Sequence, residues 1–182
     1  ERTRASVLSD LAPHLPEAVY QAALALRNEW HRADVLGTLA PYLPEAVYQT
    51  AQDLRDEEAR AHILRALAPY LPEAVYQAAQ DLQDQGMQAS VLRAVTPYLP
   101  QAEQAEALKQ ALQAARALRD EEAQTRMLGA LVPHLPEAER TEALRQALQA
   151  AQALRDERTR TGVLRALAPY LPEAERTVAL RQ

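Results

Sequence analysis

The stretch ILRALAPYLPEAVYQAAQDL, residues 63–82, contains the motif that decides the fold. Within it, Pro69 and Pro72 separate one apolar helical pattern from the next. All twelve prolines of the chain lie in this motif, which reads Pro-(Tyr/His)-Leu-Pro. The first prolines of its six copies are Pro13, Pro41, Pro69, Pro97, Pro133 and Pro169. Three intervals of 28 residues are followed by two of 36, so the chain is a tandem repeat.

Each repeat unit contains two helical patterns, which we call its first and second helix. The first helix begins at the second proline of the motif, because the missing N–H of proline costs nothing at the first helical position. The second helix begins after a residue that can cap it, such as Asp56, and ends before the next proline. The connectors are only about two to four residues long. We therefore predict an all-α fold, a superhelical α-solenoid of antiparallel helical hairpins with about twelve helices.

The 36-residue units differ from the 28-residue units in one place. Residues 147–154 align with residues 75–82, and the extra residues Glu139 to Gln146 precede them. Eight residues make about 2.2 helical turns, which predicts a lengthened first helix rather than a new loop. We predict one array over residues 1–182: a lone second helix (1–15), three 28-residue hairpin units (16–99), two 36-residue hairpin units (100–171) and a partial first helix (172–182).

The composition argues against catalysis, metal binding and membrane insertion. The chain has no Cys, and its four histidines show no spacing typical of metal ligands. It also contains no nucleophile elbow, no phosphate-binding glycine loop and no apolar run long enough to span a membrane. The net charge is −5 with both signs mixed, which disfavours a nucleic-acid-binding surface. We expect a cytoplasmic protein that is not an enzyme and uses no cofactor and no metal. Since it opens on Glu1, we expect a piece of a longer protein or a trimmed chain.

The unit LRALAPYLPEA…ALQAARALRDE resembles the degenerate helical-hairpin arrays appended to large bacterial STAND-type signalling proteins. It is also similar in plan to tetratricopeptide repeats, although their 34-residue period and their Trp-x-x-Leu-Gly-x-x-Tyr pattern are absent. The resemblance covers the whole chain and implies a scaffold or partner-binding function. LPEAVYQ occurs three times and LPEAER twice, so the sequence also fits a consensus-like engineered array.

Two ladders of side chains recur at fixed repeat positions and are candidate partner contacts. Arginines occupy one position in four units, and glutamine fills the other two: Arg4, Arg32, Arg60, Gln88, Gln124 and Arg160. Such a column could bind acidic groups, or each arginine could pair with a nearby carboxylate or cover a neighbouring helix. Tyrosines occupy another position in the 28-residue units only: Tyr20, Tyr48 and Tyr76. Because leucine replaces them in the long units, packing is the alternative role for these tyrosines.

Trp30 is a separate candidate contact, since its repeat position holds glutamate, glycine or arginine elsewhere and should be exposed. The position between the prolines of the motif holds Tyr42, Tyr70, Tyr98 and Tyr170 but His14 and His134, and we predict packing or hydrogen bonding there. We expect a protein- or peptide-binding scaffold. The alternatives are head-to-tail self-association through uncapped half units and, with less support, nucleic-acid binding.

Overall fold

The computed structural model of the chain describes residues 1–171, and the predicted partial first helix at 172–182 lies outside them. The described residues are all-α, with eleven α-helices, three short 3-10 helices and no strand. This confirms the all-α, repeat-like class predicted from the sequence. No helix of this part of the chain is long and apolar enough to cross a membrane.

The chain divides into two compact units, Glu1–Pro100 and Gln101–Gln182, at the point where the repeat length changes. The helices of the first unit are α1 (Arg2–Leu11), α2 (Pro16–Leu24), α3 (Glu29–Leu39), α4 (Pro44–Gln52), α5 (Glu57–Leu67), α6 (Pro72–Gln80) and α7 (Gln85–Val95). Those described in the second unit are α8 (Gln101–Arg116), α9 (Glu121–Leu131), α10 (Glu137–Ala153) and α11 (Glu157–Leu167). The 3-10 helices are Thr96–Tyr98, Val132–His134 and Ala168–Tyr170.

The second helices pack against one another within each unit. In the first unit α1 contacts α3, α3 contacts α5 and α5 contacts α7, while α2, α4 and α6 each lie against the second helices before and after them. In the second unit α9 contacts α11, and α10 contacts both. Consecutive second helices therefore form a layer in each unit, which we call the second-helix layer.

Each second helix from α3 onward begins at a side-chain cap, as predicted at Asp56. The capping oxygen accepts a hydrogen bond from the amide three residues later, at distances of 2.6 to 3.0 Å. The five capping residues are Asn28, Asp56, Asp84, Asp120 and Asp156. Each cap satisfies an amide that the helix leaves free, and caps of this kind stabilise a helix by about 1 kcal/mol.

The eight extra residues lengthen the first helices of the long units. Helices α8 and α10 contain 16 and 17 residues, against nine in each of α2, α4 and α6. The lengthened-helix prediction is confirmed. The proline prediction holds for the short units, where Pro16, Pro44 and Pro72 are the first helical residues. In the long units the helix begins one residue later, at Gln101 and Glu137, and a 3-10 turn ends two residues before the proline.

Leucine and alanine supply the buried layer, as the composition requires in a chain without phenylalanine. One repeat position of the second helices holds leucines that are at most 4% exposed: Leu36, Leu64, Leu92, Leu128 and Leu164. Burying a leucine side chain stabilises a fold by roughly 1.5–3 kcal/mol. Another position holds small residues that let neighbouring helices approach closely. At that position Thr125 is fully buried, and its hydroxyl donates to the carbonyl of Glu121 at 2.6 Å.

Two glycines in the second-helix layer of the second unit give a matched test of this packing. A Cβ at Gly162 would have no atom within 4 Å, whereas a Cβ at Gly129 would lie 3.3 Å from Cγ1 of Val163. We expect Gly162→Ala to raise the free energy of unfolding by about 1 kcal/mol, the difference in helix propensity. Gly129→Ala should gain less, because Val163 must move. Urea denaturation of both variants checks this, and an equal gain would show that the α9–α11 contact is looser than described.

Candidate binding grooves

The arginine ladder caps helix ends inside the molecule. Arg32 donates through Nε and Nη2 to the carbonyl of Leu26, at 3.1 and 2.6 Å, where α2 gives way to the loop. Arg160 reaches the equivalent carbonyl of Leu154 at 3.4 Å. Gln124 donates to the equivalent carbonyl of Leu118 at 3.4 Å and to that of Arg116 at 2.9 Å. Arginine and glutamine therefore interchange because both donate to the carbonyls at the end of the first helix.

Two members of the arginine ladder are placed differently. Arg60 lies 3.7 Å from the carboxylate of Glu57, one turn earlier in α5. Arg4 is exposed on α1. The arginines of the column therefore do not share one kind of contact. Neither of the roles weighed for the column from sequence, carboxylate pairing or helix covering, describes Arg32 and Arg160.

The tyrosine ladder joins successive first helices. The hydroxyl of Tyr20 lies 2.8 Å from Oγ1 of Thr50 and donates to the carbonyl of Ala46 at 3.3 Å. Tyr48 donates to the carbonyl of Ala74 at 3.3 Å in the same way. Tyr76 is only 7% exposed. These contacts support the packing alternative, because the polar tips of Tyr20 and Tyr48 already have partners.

A glutamate column joins successive repeats, and it was not singled out from the sequence. Glu29 is the first residue of α3, and its carboxylate accepts from the amides of Arg55 and Asp56, at 3.1 and 2.8 Å, in the next loop. Glu1 accepts in the same way from the amides of Arg27 and Asn28, both at 3.3 Å. Glu57 accepts from the amides of Gln83 and Asp84. The repeat position is visible in the sequence, but the sequence does not show that its glutamates reach the loop of the next repeat.

Replacing Glu29 should loosen the contact between two repeats. We expect Glu29→Ala to lower the free energy of unfolding by about 1 kcal/mol, since two amides of the next loop lose an ionised acceptor. Glu45→Ala is the control, because Glu45 is also a glutamate at a helix start but is exposed and makes no hydrogen bond or ion pair within residues 1–171. Denaturant titration of both variants checks the prediction. Similar losses of unfolding free energy for the two variants would mean that each glutamate stabilises the protein only through the helix dipole.

The aromatic position between the motif prolines is more exposed than predicted. Tyr42, Tyr70, Tyr98 and Tyr170 expose between 37% and 49% of their surface. These tyrosines are therefore only partly packed, and hydrogen bonding at this position stays a prediction. They end the second helix at a loop where the chain turns outward, so only part of each ring is covered.

Trp30 lies on the rim of a groove between α1 and α3. The groove has a volume of about 660 Å³, and Trp30 is 41% exposed, as predicted for this residue. The lining includes the carboxylates of Asp10 and Asp34, together with Arg2, Ser6, Ser9 and His31. Asp10 and Asp34 form no ion pair or hydrogen bond among residues 1–171. The groove therefore combines an exposed aromatic ring with available charges.

His62 on α5 supports the indole of Trp30 from the side away from this groove. The ring centroids are 5.2 Å apart, with an interplanar angle of 55°. Gly37 makes room for the imidazole, since a Cβ at Gly37 would lie 3.4 Å from Nε2 of His62. Burial lowers the pKa of His62 from its ordinary value of 6.5, the Arg65 guanidinium lowers it further, and the Asp34 carboxylate opposes them.

The lowered pKa of His62 makes stability depend on pH. Because the unfolded chain binds a proton at His62 more readily than the folded chain, we expect the free energy of unfolding to fall as the pH decreases below about 6.5. Chemical denaturation near pH 8 and pH 5.5, for the unsubstituted chain and for His62→Gln, checks this. The variant should show the smaller decrease, and an identical decrease would contradict the role of His62.

A groove of the same kind lies between α9 and α11 in the second unit. Its lining residues occupy the repeat positions that line the α1–α3 groove, including Arg126, Gly129, Arg158 and Gly162. The volume is about 360 Å³. Both grooves run along the second-helix layer, and this repetition was not foreseen from the sequence.

Among residues 1–171, no cluster of three or more histidine, aspartate or glutamate side chains is arranged to hold a metal ion. Comparisons of the chain with known protein families, with curated proteins and with solved structures find no match. The resemblance to STAND-associated arrays and tetratricopeptide repeats stays a prediction.

Proposed function

We propose that this chain is a non-enzymatic binding module, an α-solenoid of antiparallel hairpins that receives a protein or peptide partner in the α1–α3 groove. The observation that carries the proposal is the exposed ring of Trp30 on a groove of about 660 Å³. Aromatic residues of this kind dominate the binding energy of protein interfaces.

The other conspicuous side chains support this choice by contrast. The hydroxyls of Tyr20 and Tyr48 and the guanidinium groups of Arg32 and Arg160 already bond to neighbouring helices or loops. Trp30 instead keeps much of its surface exposed while His62 holds one side of the ring. A ring that is fixed before binding loses little conformational freedom on contact with a partner. The net charge of −5 and the mixed signs make a nucleic acid the less suitable partner.

The fluorescence of Trp30 provides the test, because it is the single tryptophan of the chain. We expect some members of an array of random-sequence peptides to bind the full chain and to change the emission of Trp30. Trp30→Glu should weaken those peptides roughly thirtyfold, as loss of about 2 kcal/mol at an interface anchor implies. The variant should fold, since glutamate stands at the equivalent positions 58 and 122.

The control is Tyr42→Ala, which removes a similarly exposed aromatic ring at a loop outside the groove. It should leave peptide affinity unchanged. The proposal fails if no peptide alters Trp30 emission, or if Trp30→Glu and Tyr42→Ala weaken binding equally. Sedimentation of the unsubstituted chain in the same buffer shows whether self-association occupies the groove instead.

A further inference from the structure

The α9–α11 groove is open above Gly162, whereas Val163 packs against Gly129 on the facing helix. Each neighbouring pair of second helices faces across the same two repeat positions, but with different side chains. Between α3 and α5 these positions hold Gly37 and His62, and the imidazole occupies the space. Between α5 and α7 Nη1 of Arg65 donates to Oγ of Ser90 at 3.2 Å, which bridges the same place.

Between α9 and α11 the corresponding residues are Gly129 and Gly162. No atom lies within 4 Å of a Cβ built on Gly162, so the space above it is free. Val163, Ala130 and Ala166 complete an apolar lining. A groove of this volume and character accepts an aliphatic side chain of a partner.

Two arginines give the groove its charge. Arg126 and Arg158 line it from α9 and α11 and are both exposed. Arg126 lies 3.8 Å from the carboxylate of Glu122, which also bonds to the hydroxyl of Thr159 at 2.9 Å. Such exposed pairs between successive helical turns contribute little, so a partner carboxylate can compete for Arg126. Arg158 makes no ion pair within the described part of the chain.

We propose that the α9–α11 groove binds an acidic peptide segment, which places an aliphatic side chain over Gly162 and a carboxylate against Arg126 and Arg158. Arginine binds carboxylates through several N–H donors at once. The apolar lining of the groove requires in addition that the ligand carry an apolar side chain. The α1–α3 groove carries Asp10 and Asp34 and disfavours the same ligand. This site is separate from the one that carries the proposed function.

The probes are three fluorescein-labelled synthetic peptides of equal length, titrated into the full chain by fluorescence anisotropy. One alternates leucine with glutamate, one alternates leucine with lysine, and one alternates glycine with glutamate. We expect the leucine–glutamate peptide to bind at least about tenfold more tightly than the other two. Only this peptide has both a leucine to contact the apolar lining and a glutamate to pair with the arginines. Trp30 emission should not respond to it.

Arg158→Glu should weaken the leucine–glutamate peptide by roughly tenfold or more and strengthen the leucine–lysine peptide. Glutamate already stands at the equivalent positions 58 and 122, so the variant should fold. Arg2→Glu is the control, because Arg2 holds the equivalent repeat position in α1 and lies outside the α9–α11 groove. Gly162→His copies the side chain of His62 into the groove and should abolish binding by filling it.

Several results would overturn the proposal. Equal binding of the leucine–glutamate and glycine–glutamate peptides would reduce the site to unspecific charge attraction. Equal losses of affinity for the leucine–glutamate peptide from Arg158→Glu and Arg2→Glu would also show that only unspecific charge attraction is involved. Self-association that disappears on Arg158→Glu, measured by sedimentation, would assign the groove to a second copy of the chain. The Trp30→Glu variant changes the α1–α3 groove and leaves the α9–α11 groove as it is. A negative result for this proposal is therefore distinguishable from a negative result for the proposed function.

Discussion

The shortness of the helices is the constraint on which the rest of this structure depends. An α-helix leaves its first four N–H groups and its last four carbonyls without partners, so nearly half of the backbone polar groups of a nine-residue helix such as α2 are end groups. A repeat made of such helices cannot persist on propensity alone. Side chains at fixed repeat positions supply hydrogen-bond partners for these end groups. Aspartates cap the beginnings of the second helices, arginine or glutamine caps the ends of first helices, and glutamates bond to loop amides of the next repeat.

Much of this could be predicted from the sequence, because it depends on neighbouring residues. Pro72 and Asp56 mark helix starts by their own chemistry, and eight residues inserted in phase with a helix lengthen it. The partners of Glu29 and Tyr20 could not be predicted, since they lie 26 to 30 residues away and meet only when one repeat packs on the next. The repeated positions are visible in the sequence as columns of equivalent residues, but the sequence does not show which residues they contact. For that reason the arginine column could be predicted either to bind acidic groups or to pair with nearby carboxylates and cover a neighbouring helix.

The candidate sites arise where individual repeats depart from the shared pattern. His62 and Arg65 fill two of the spaces along the second-helix layer of the first unit, whereas Asp34 and Ser9 leave the α1–α3 space open. Sequence comparison of the units identified Trp30 as an exception, and the structure places this exception at an open groove. The grooves themselves could not be predicted, because each depends on two residues from different repeats whose pairing follows from helix register. The glycine at position 162, for example, opens a groove only because no side chain of α9 lies within 4 Å of a Cβ built there.

The glutamate hydrogen bonds have a consequence for how the first unit comes apart. Each of them spans one boundary between adjacent repeats, and none described here reaches beyond the next one. Cooperativity in such a unit is therefore passed from neighbour to neighbour, as in a one-dimensional lattice. A repeat at the edge of the unit has one neighbour, while an inner repeat has two. Within the unit, the inner repeats should open less readily than the outer ones, so amide exchange would be slowest around α3 and α5. A ligand bound between two second helices would slow the separation of those helices.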